Sequence, residues 1–275
     1  MIKAIAVDLD DTLLTSSWEV SPADQEALRW AKKRGIALIV ATGRMPSAAR
    51  KHTAGISDII DYLVCYNGAL VETSSGKAVA EDPLDSTVFG LLRQIASELE
   101  YCCLYFSGDV ILSERVVDGD QITSYYKSRT GAKISAYLDQ PSMGRIHKLL
   151  LYHPGANDGY NPRQSHPFEQ IAFDSLSHRV SHLTQVRKTG LGYVECSSLR
   201  VSKEKAVRSA LGELGLDLGG LLAIGDSYND LEMIRSAAVG VAVDNAVEEL
   251  KRVADFVVAS HESSGVAEAI YRACN

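Results

Sequence analysis

The chain has 275 residues, 46% of them hydrophobic and 23% charged, with a formal net charge of −7. That is an ordinary globular composition, long enough for one large domain or two moderate ones, and its acidic balance argues against a general nucleic-acid or anionic-membrane binder. No apolar run reaches the roughly 18 residues of a membrane span; the five cysteines lack a C-x-x-C pair and the acids in MIKAIAVDLD break up a signal-peptide pattern, so a reduced, cytoplasmic protein is expected.

In chain order, IKAIAVDL is a short apolar run rich in branched residues, the pattern of a buried parallel strand. Ser21, Pro22 and Asp24 supply an N-cap, a proline at the first helical position and a capping-box acid. Ala23 to Arg34 then reads as a helix closed by Gly35. IALIVA (36–41) and YLVCY (62–66) read as the second and third strands, with a short helical stretch between them. From about 82 to 190 the texture changes. YCCLYFSG, DVILSE, RIHKLLLY and HRVSHLT read as strands of an antiparallel sheet with one exposed face, and 153–167 reads as a loop rich in Gly, Pro and Asn. The alternation then resumes: helix from Ser202 to Leu214, strand LLAIG (221–225), helix 228–237, strand VGVAV (239–243), helix 246–253, strand FVVA (256–259) and helix 265–273. The fold class is therefore α/β, a doubly wound parallel-sheet (Rossmann-like) core of residues 1–81 and 190–275, interrupted by an α+β domain at 82–189.

Ligands of such sheets bind at the carboxyl ends of the strands. Here the first strand ends in Asp8-Leu9-Asp10-Asp11-Thr12, the second in Thr42-Gly43-Arg44, the third in Asn67-Gly68 and the fourth in Gly225-Asp226-Ser227-Tyr228-Asn229-Asp230. Each stretch alone is an ordinary polar turn, and a lone Lys203 at a helix start is an ordinary surface lysine. Four such ends converging on one edge of a sheet are harder to explain that way. Carboxylates so clustered repel unless a cation sits among them, and an all-oxygen set suits Mg²⁺.

DLDDTL, then TGR, then Lys203, then GDSYND resemble in order and context the four motifs of the haloacid dehalogenase superfamily. The insert position and the tail VGVAVDNAVEELKRVADFVVASHESSGVAEAI resemble its subclass IIB, the Cof-type sugar-phosphate phosphatases. The resemblance covers both core segments, while the insert matches only in placement and length. It implies an Mg²⁺-dependent phosphatase with Asp8 as nucleophile, forming an aspartyl-phosphate, and Asp10 as general acid–base. It implies a metal site of Asp8, Asp10 (through its backbone carbonyl), Asp226, Asn229 and Asp230, the last two holding metal-bound water or orienting Lys203. Lys203, Thr42, the Gly43 amide and Thr12 would bind phosphoryl oxygens, and Arg44, Asn67 and Gly68 would border the substrate. The insert would act as a cap that closes over the site and selects the leaving group.

Two departures stand out: Asp11 where the family usually has Gly, and Glu204 after the lysine, where it could pair with Lys203. The expected partner is a small phosphorylated metabolite, with no nucleic acid and no membrane, the chain being a monomer or small homo-oligomer. A phosphosugar mutase would keep the aspartyl-phosphate but need a second basic site, for which Arg115, Lys127, Arg129, Lys133, Arg145 and Lys148 are scattered candidates. A catalytically silent metabolite-binding protein is the third reading. Five histidines of the insert (His147, His153, His166, His178, His182) show no zinc-site spacing.

Overall fold

A computed structural model describes residues 1–113, 134–136, 145–153, 167–189 and 193–274. The chain divides into two compact units, Met1–Glu81 with Val201–Asn275, and Asp82–Arg200.

The first unit is built on an eight-stranded sheet. Strand order is β14 (Phe256–Val258), β13 (Val239–Val243), β12 (Leu221–Gly225), β1 (Ala4–Asp8), β2 (Ala37–Ala41), β3 (Tyr62–Cys65), β4 (Leu70–Thr73), β5 (Ala78–Glu81). The first six run parallel, and β1, β2, β3 and β12 are buried along their whole length, as two-sided burial of branched, apolar runs demands. β4 and β5 form an antiparallel edge hairpin that the sequence reading left out. Its turn carries Ser74-Ser75-Gly76, an unexploited signal.

Helix α1 (Pro22–Lys33) starts on Ser21, whose Oγ accepts from the Asp24 amide at 3.1 Å. The acid does not complete the expected reciprocal box. Asp24 Oδ2 accepts from the Ser21 hydroxyl (2.7 Å), and Oδ1 accepts the Ala267 amide (2.7 Å) in the first turn of the C-terminal helix Gly265–Cys274. Buried Asp24 thus ties two helix N-termini together, and desolvation lifts its carboxyl above the ordinary range despite those bonds. The short helical stretch between β2 and β3 is α2 (Pro46–His52), and helix 246–253 of the sequence reading shrinks to Glu248–Lys251.

The second unit carries a six-stranded sheet in the order β10 (Thr184–Lys188), β11 (Val194–Ser198), β9 (Lys148–Tyr152), β6 (Cys102–Ser107), β7 (Val110–Ser113), β8 (Ile134–Ala136), antiparallel except for β7 with β8. β11 pairs with β9 and β10, so residues 194–198 lie with this unit, whereas the sequence reading resumed the core at 190. One sheet face (Cys103, Tyr105, Leu149, Leu151, Val194, Cys196) packs on α3 (Ser86–Glu98) and α4 (Pro167–Val180) through Phe89, Leu92, Ile95, Ala172, Leu176 and Val180. The other face of β6 and β9 is buried as well, contrary to the expected exposed face. HRVSHLT is not a strand. Its first residues finish α4, because buried Ala172, Leu176 and Val180 recur every fourth residue, and β10 begins only at Thr184. Arg115, Lys127, Arg129, Lys133 and His166 lie outside the described residues. Among the described residues no helix is long and apolar enough to cross a membrane.

Candidate active site

All the motif residues belong to the first unit, and the parallel register explains why they meet. Asp8 closes β1 opposite Ala41 of β2, so Thr42 follows immediately beside it. Ile224 pairs with Val7, which brings the end of β12 to the other side. Beyond β1 the chain makes a wide five-residue turn, Leu9–Leu13, that is helical except at Asp10 and Asp11. Asp11 sits at φ +56°, a left-handed conformation that Asp adopts more readily than most residues and glycine most easily of all. That accounts for the tolerated departure at position 11.

Lys203 is the first residue of α5 (Lys203–Glu213), is 1% exposed, and extends its ammonium between two carboxylates. Nζ donates to Asp8 Oδ1 and, at 2.7 Å, to Asp230 Oδ1. Asp230, fully buried, is also the third residue of a capping box. Its Oδ2 accepts the Ser227 amide (3.1 Å) and the Asp226 amide (3.2 Å), while its own amide donates to the Ser227 side chain. The Ser-x-x-Asp spacing inside GDSYND is therefore a local folding rule that also fixes the partner of the lysine. Asp226 accepts from the Thr12 hydroxyl at 2.9 Å, and oxygens of Asp8, Asp226 and Asp230 lie within 4.8 Å of one another.

Burial lifts the Asp8 carboxyl well above the usual range; Lys203 pulls it down, but Asp230 and Asp226 push it up again. Asp226 is raised to about 6, by burial first and then by Asp230. Burial alone would lower Lys203, yet Asp230 and Asp8 outweigh it and hold the ammonium above its ordinary value. Around this cation there is more negative charge than it can neutralise.

The second and third strand ends interlock. The Asn67 amide donates to Thr42 O (2.9 Å) and the Tyr66 amide to Arg44 O (3.0 Å), with Tyr66 and Asn67 both left-handed. The Arg44 amide donates to Thr42 Oγ1 at 3.1 Å. The Asn67 side chain comes so near Gly43 that a Cβ there would lie 3.1 Å from Oδ1. Gly68, at φ +110°, lets the chain pass under the start of α5, where a Cβ would stand 2.4 Å from Ser202 O. Gly68→Ala is expected to cost on the order of 3 kcal/mol in urea unfolding, against about 1 kcal/mol for Gly35→Ala, also at positive φ (+76°) but with open space around it.

Three residues take different partners from those expected. Arg44 grips Asp10, Nε donating to Oδ2 at 2.9 Å and Nη2 to Oδ1 at 2.5 Å. Asn229 Nδ2 donates to Asn67 Oδ1 at 2.9 Å rather than turning toward the carboxylates. Glu204 pairs with Arg208 one turn on, not with Lys203. Asn245, absent from the sequence-based set, donates to Asp11 O at 2.7 Å and accepts the His261 amide at 3.1 Å. Asn245 follows the end of β13, and applying the strand-end rule to that fifth strand would have found it.

A parallel sheet whose strand ends gather three carboxylates, a buried lysine and a threonine–glycine turn defines a phosphoryl-transfer α/β enzyme. The family model described as haloacid dehalogenase-like hydrolase matches residues 5–270. A Bacillus subtilis (strain 168) candidate phosphatase, YxeH, is 30% identical over 98% of both chains. The crystal structure of a haloacid dehalogenase-like hydrolase from Bacteroides thetaiotaomicron superposes with TM-score 0.83 at 25% identity, covering 99% of this chain and 100% of that one. The sugar phosphatase BT4131, described as subclass IIB, shares the fold with TM-score 0.78 at 18% identity and 98% coverage of both chains. The chain belongs to the haloacid dehalogenase-like hydrolases. Its activity is that of a phosphatase, a phosphoric monoester hydrolase.

Proposed function

We propose that the chain hydrolyses phosphomonoesters of small metabolites, sugar phosphates foremost, through an aspartyl-phosphate on Asp8 and with Mg²⁺ as cofactor. The observation that carries this reading is the buried Asp8–Lys203–Asp230 array with Asp226 within 4.8 Å. Sugar phosphates come first because a fold neighbour is a sugar phosphatase.

The donor set fits a hard divalent cation: carboxylate oxygens only, closely spaced, and more negative charge than Lys203 offsets. Asp8 and Asp226, with the Asp10 backbone carbonyl, would hold it. Asp230 already spends both oxygens on Lys203 and two amides, so its part is to position them. Bound there, Mg²⁺ would supply positive charge to phosphoryl oxygens that Lys203 alone cannot neutralise.

In the first half-reaction an Asp8 oxygen attacks phosphorus and the ester C–O–P bond breaks at phosphorus, the departing oxygen taking a proton from Asp10. In the second, water attacks the aspartyl-phosphate while Asp10 takes back a proton, releasing phosphate and restoring Asp8. Lys203, Thr42 and the Gly43 amide hold the equatorial oxygens. Of the scattered basic residues a mutase would need, Lys148 is in an ion pair with Glu195 at 3.2 Å, and among the described residues nothing favours that second reading.

The test is phosphate release from a broad phosphoester panel with and without Mg²⁺. Metal-dependent turnover of sugar phosphates supports the proposal, and inactivity across the panel overturns it. A second expectation follows from Asp226. Its folded value of about 6 lies above its unfolded value of about 4, so the stability it contributes is present below pH 4 and lost as pH rises through 6. Mg²⁺ competes with that proton, so it should raise the melting temperature clearly at pH 8 and little at pH 5. Equal shifts at both values would count against Asp226 as a ligand.

A further inference from the structure

Trp18 occupies a turn position that favours glycine. The Thr15 amide donates to Glu19 O at 3.0 Å and the Trp18 amide to Thr15 O at 2.8 Å, inside a loop closed by the Leu14–Val20 bridge. Trp18 is left-handed, at φ +64°, where Gly or Asn is usual in such turns and a bulky side chain is strained. The residue is 42% exposed, so core burial does not hold it there. The ring meets the His52 ring, tilted by 47° with centroids 5.9 Å apart, and Arg44. The guanidinium carbon lies 4.8 Å from the ring centroid, and that same guanidinium grips the Asp10 carboxylate through two nitrogens. The Trp18 backbone is anchored separately, its carbonyl contacting His52 Nδ1 at 3.1 Å, so the loop has a hold that does not depend on the indole.

We propose that Trp18 is a positioning residue: its ring props the Arg44 guanidinium in the orientation that holds Asp10 toward the phosphoryl site. An arginine has several rotatable bonds and would otherwise sample many directions; an aromatic face against the guanidinium restricts them. The strained turn is the local cost of placing a ring at that point. The proposal rests on the reading of Asp10 as general acid–base.

The test uses the full chain with Trp18→Gly, Trp18→Phe, Trp18→Tyr and Asp10→Asn. Glycine removes the ring and relieves the turn, so Trp18→Gly should melt at the same or a higher temperature. Its kcat/KM for an alkyl phosphate should nevertheless fall about tenfold, a fraction of what a whole acid–base group supplies. For p-nitrophenyl phosphate, whose leaving group needs little protonation, the fall should be under about twofold. Phe and Tyr should restore the alkyl phosphate rate. Independently of turnover, the Arg44 Nε–H proton, identified by its loss in Arg44→Lys, should be protected from solvent exchange in the native protein and in the Phe and Tyr variants. It should lose that protection in Trp18→Gly. Unchanged protection together with unchanged alkyl phosphate turnover in Trp18→Gly, with Asp10→Asn inactive, overturns the role of Trp18 alone. If Asp10→Asn keeps full turnover while Trp18→Gly loses Arg44 protection, the prop stands and the acid–base reading of Asp10 fails.

Discussion

Asp8→Asn is expected to lower phosphoester turnover by about 10⁴-fold or more, while leaving the metal-free protein as stable as before or more so. The two halves have one cause. The carboxylate is buried beside Asp230 and Asp226, which makes it a poor contributor to the metal-free fold and holds its acidity well below that of an ordinary aspartate. The carboxamide keeps the shape, removes one of the mutually repelling charges, and leaves Lys203 paired with Asp230 at 2.7 Å. Thermal melting and phosphate release, measured on one preparation, check both. Retained turnover would move the nucleophile elsewhere; a large loss of stability would mean that Asp8 serves mainly as the counter-ion of Lys203.

Lys203→Met is expected to do the opposite to stability. Methionine fills most of the volume but leaves Asp8 and Asp230 facing each other without a cation, at sites 5% and 0% exposed. Breaking a buried ion pair on one side costs about 3–5 kcal/mol, a melting shift on the order of 10 °C in a chain of this size. Turnover should fall by about 10²–10³-fold, as for the loss of one charge-stabilising donor. The deficit should shrink as pH falls, because protonating the stranded carboxylates relieves the repulsion. A variant as stable as the native protein at pH 7.5 would show that the array tolerates an unpaired lysine site. Comparing melting at pH 5 and pH 7.5 separates this electrostatic loss from a packing defect, which would not depend on pH.

What the sequence carried well was whatever obeys a short-range rule. The runs of branched residues at 4–8, 37–41 and 221–225 are strands because their burial on both faces needs no partner of particular sequence. The ends of those strands then located the carboxylates and a helix start located Lys203, though the roles given to them came from resemblance and from chemistry. What it carried poorly depends on contacts across the chain. Asp24 looks like a capping-box acid until the helix beginning at Gly265 offers it a better donor. Arg44 and Asp10 lie 34 residues apart, and nothing local says that they pair. HRVSHLT alternates like a strand in isolation, and only the stripe continuing from Ala172 through Leu176 shows it to be the end of a helix. The edge hairpin β4–β5 has mixed burial and weak patterning, so turn chemistry was the one cue available.

The discontinuous make-up of the first unit has a consequence for how the enzyme comes into being. β1 must pair with β12, and the Asp8–Lys203 and Thr12–Asp226 contacts span 195 and 214 residues. During synthesis at roughly 5–20 residues per second, the amino-terminal strand would wait on the order of 10 s or more for its neighbour to emerge. The segment Asp82–Arg200, all of it contiguous, can close its own sheet in that interval. An unfinished chain would carry Asp8, the proposed nucleophile, without Lys203 and without Asp226, the second carboxylate of the proposed metal site, so on that proposal catalytic competence is withheld until translation has delivered both halves.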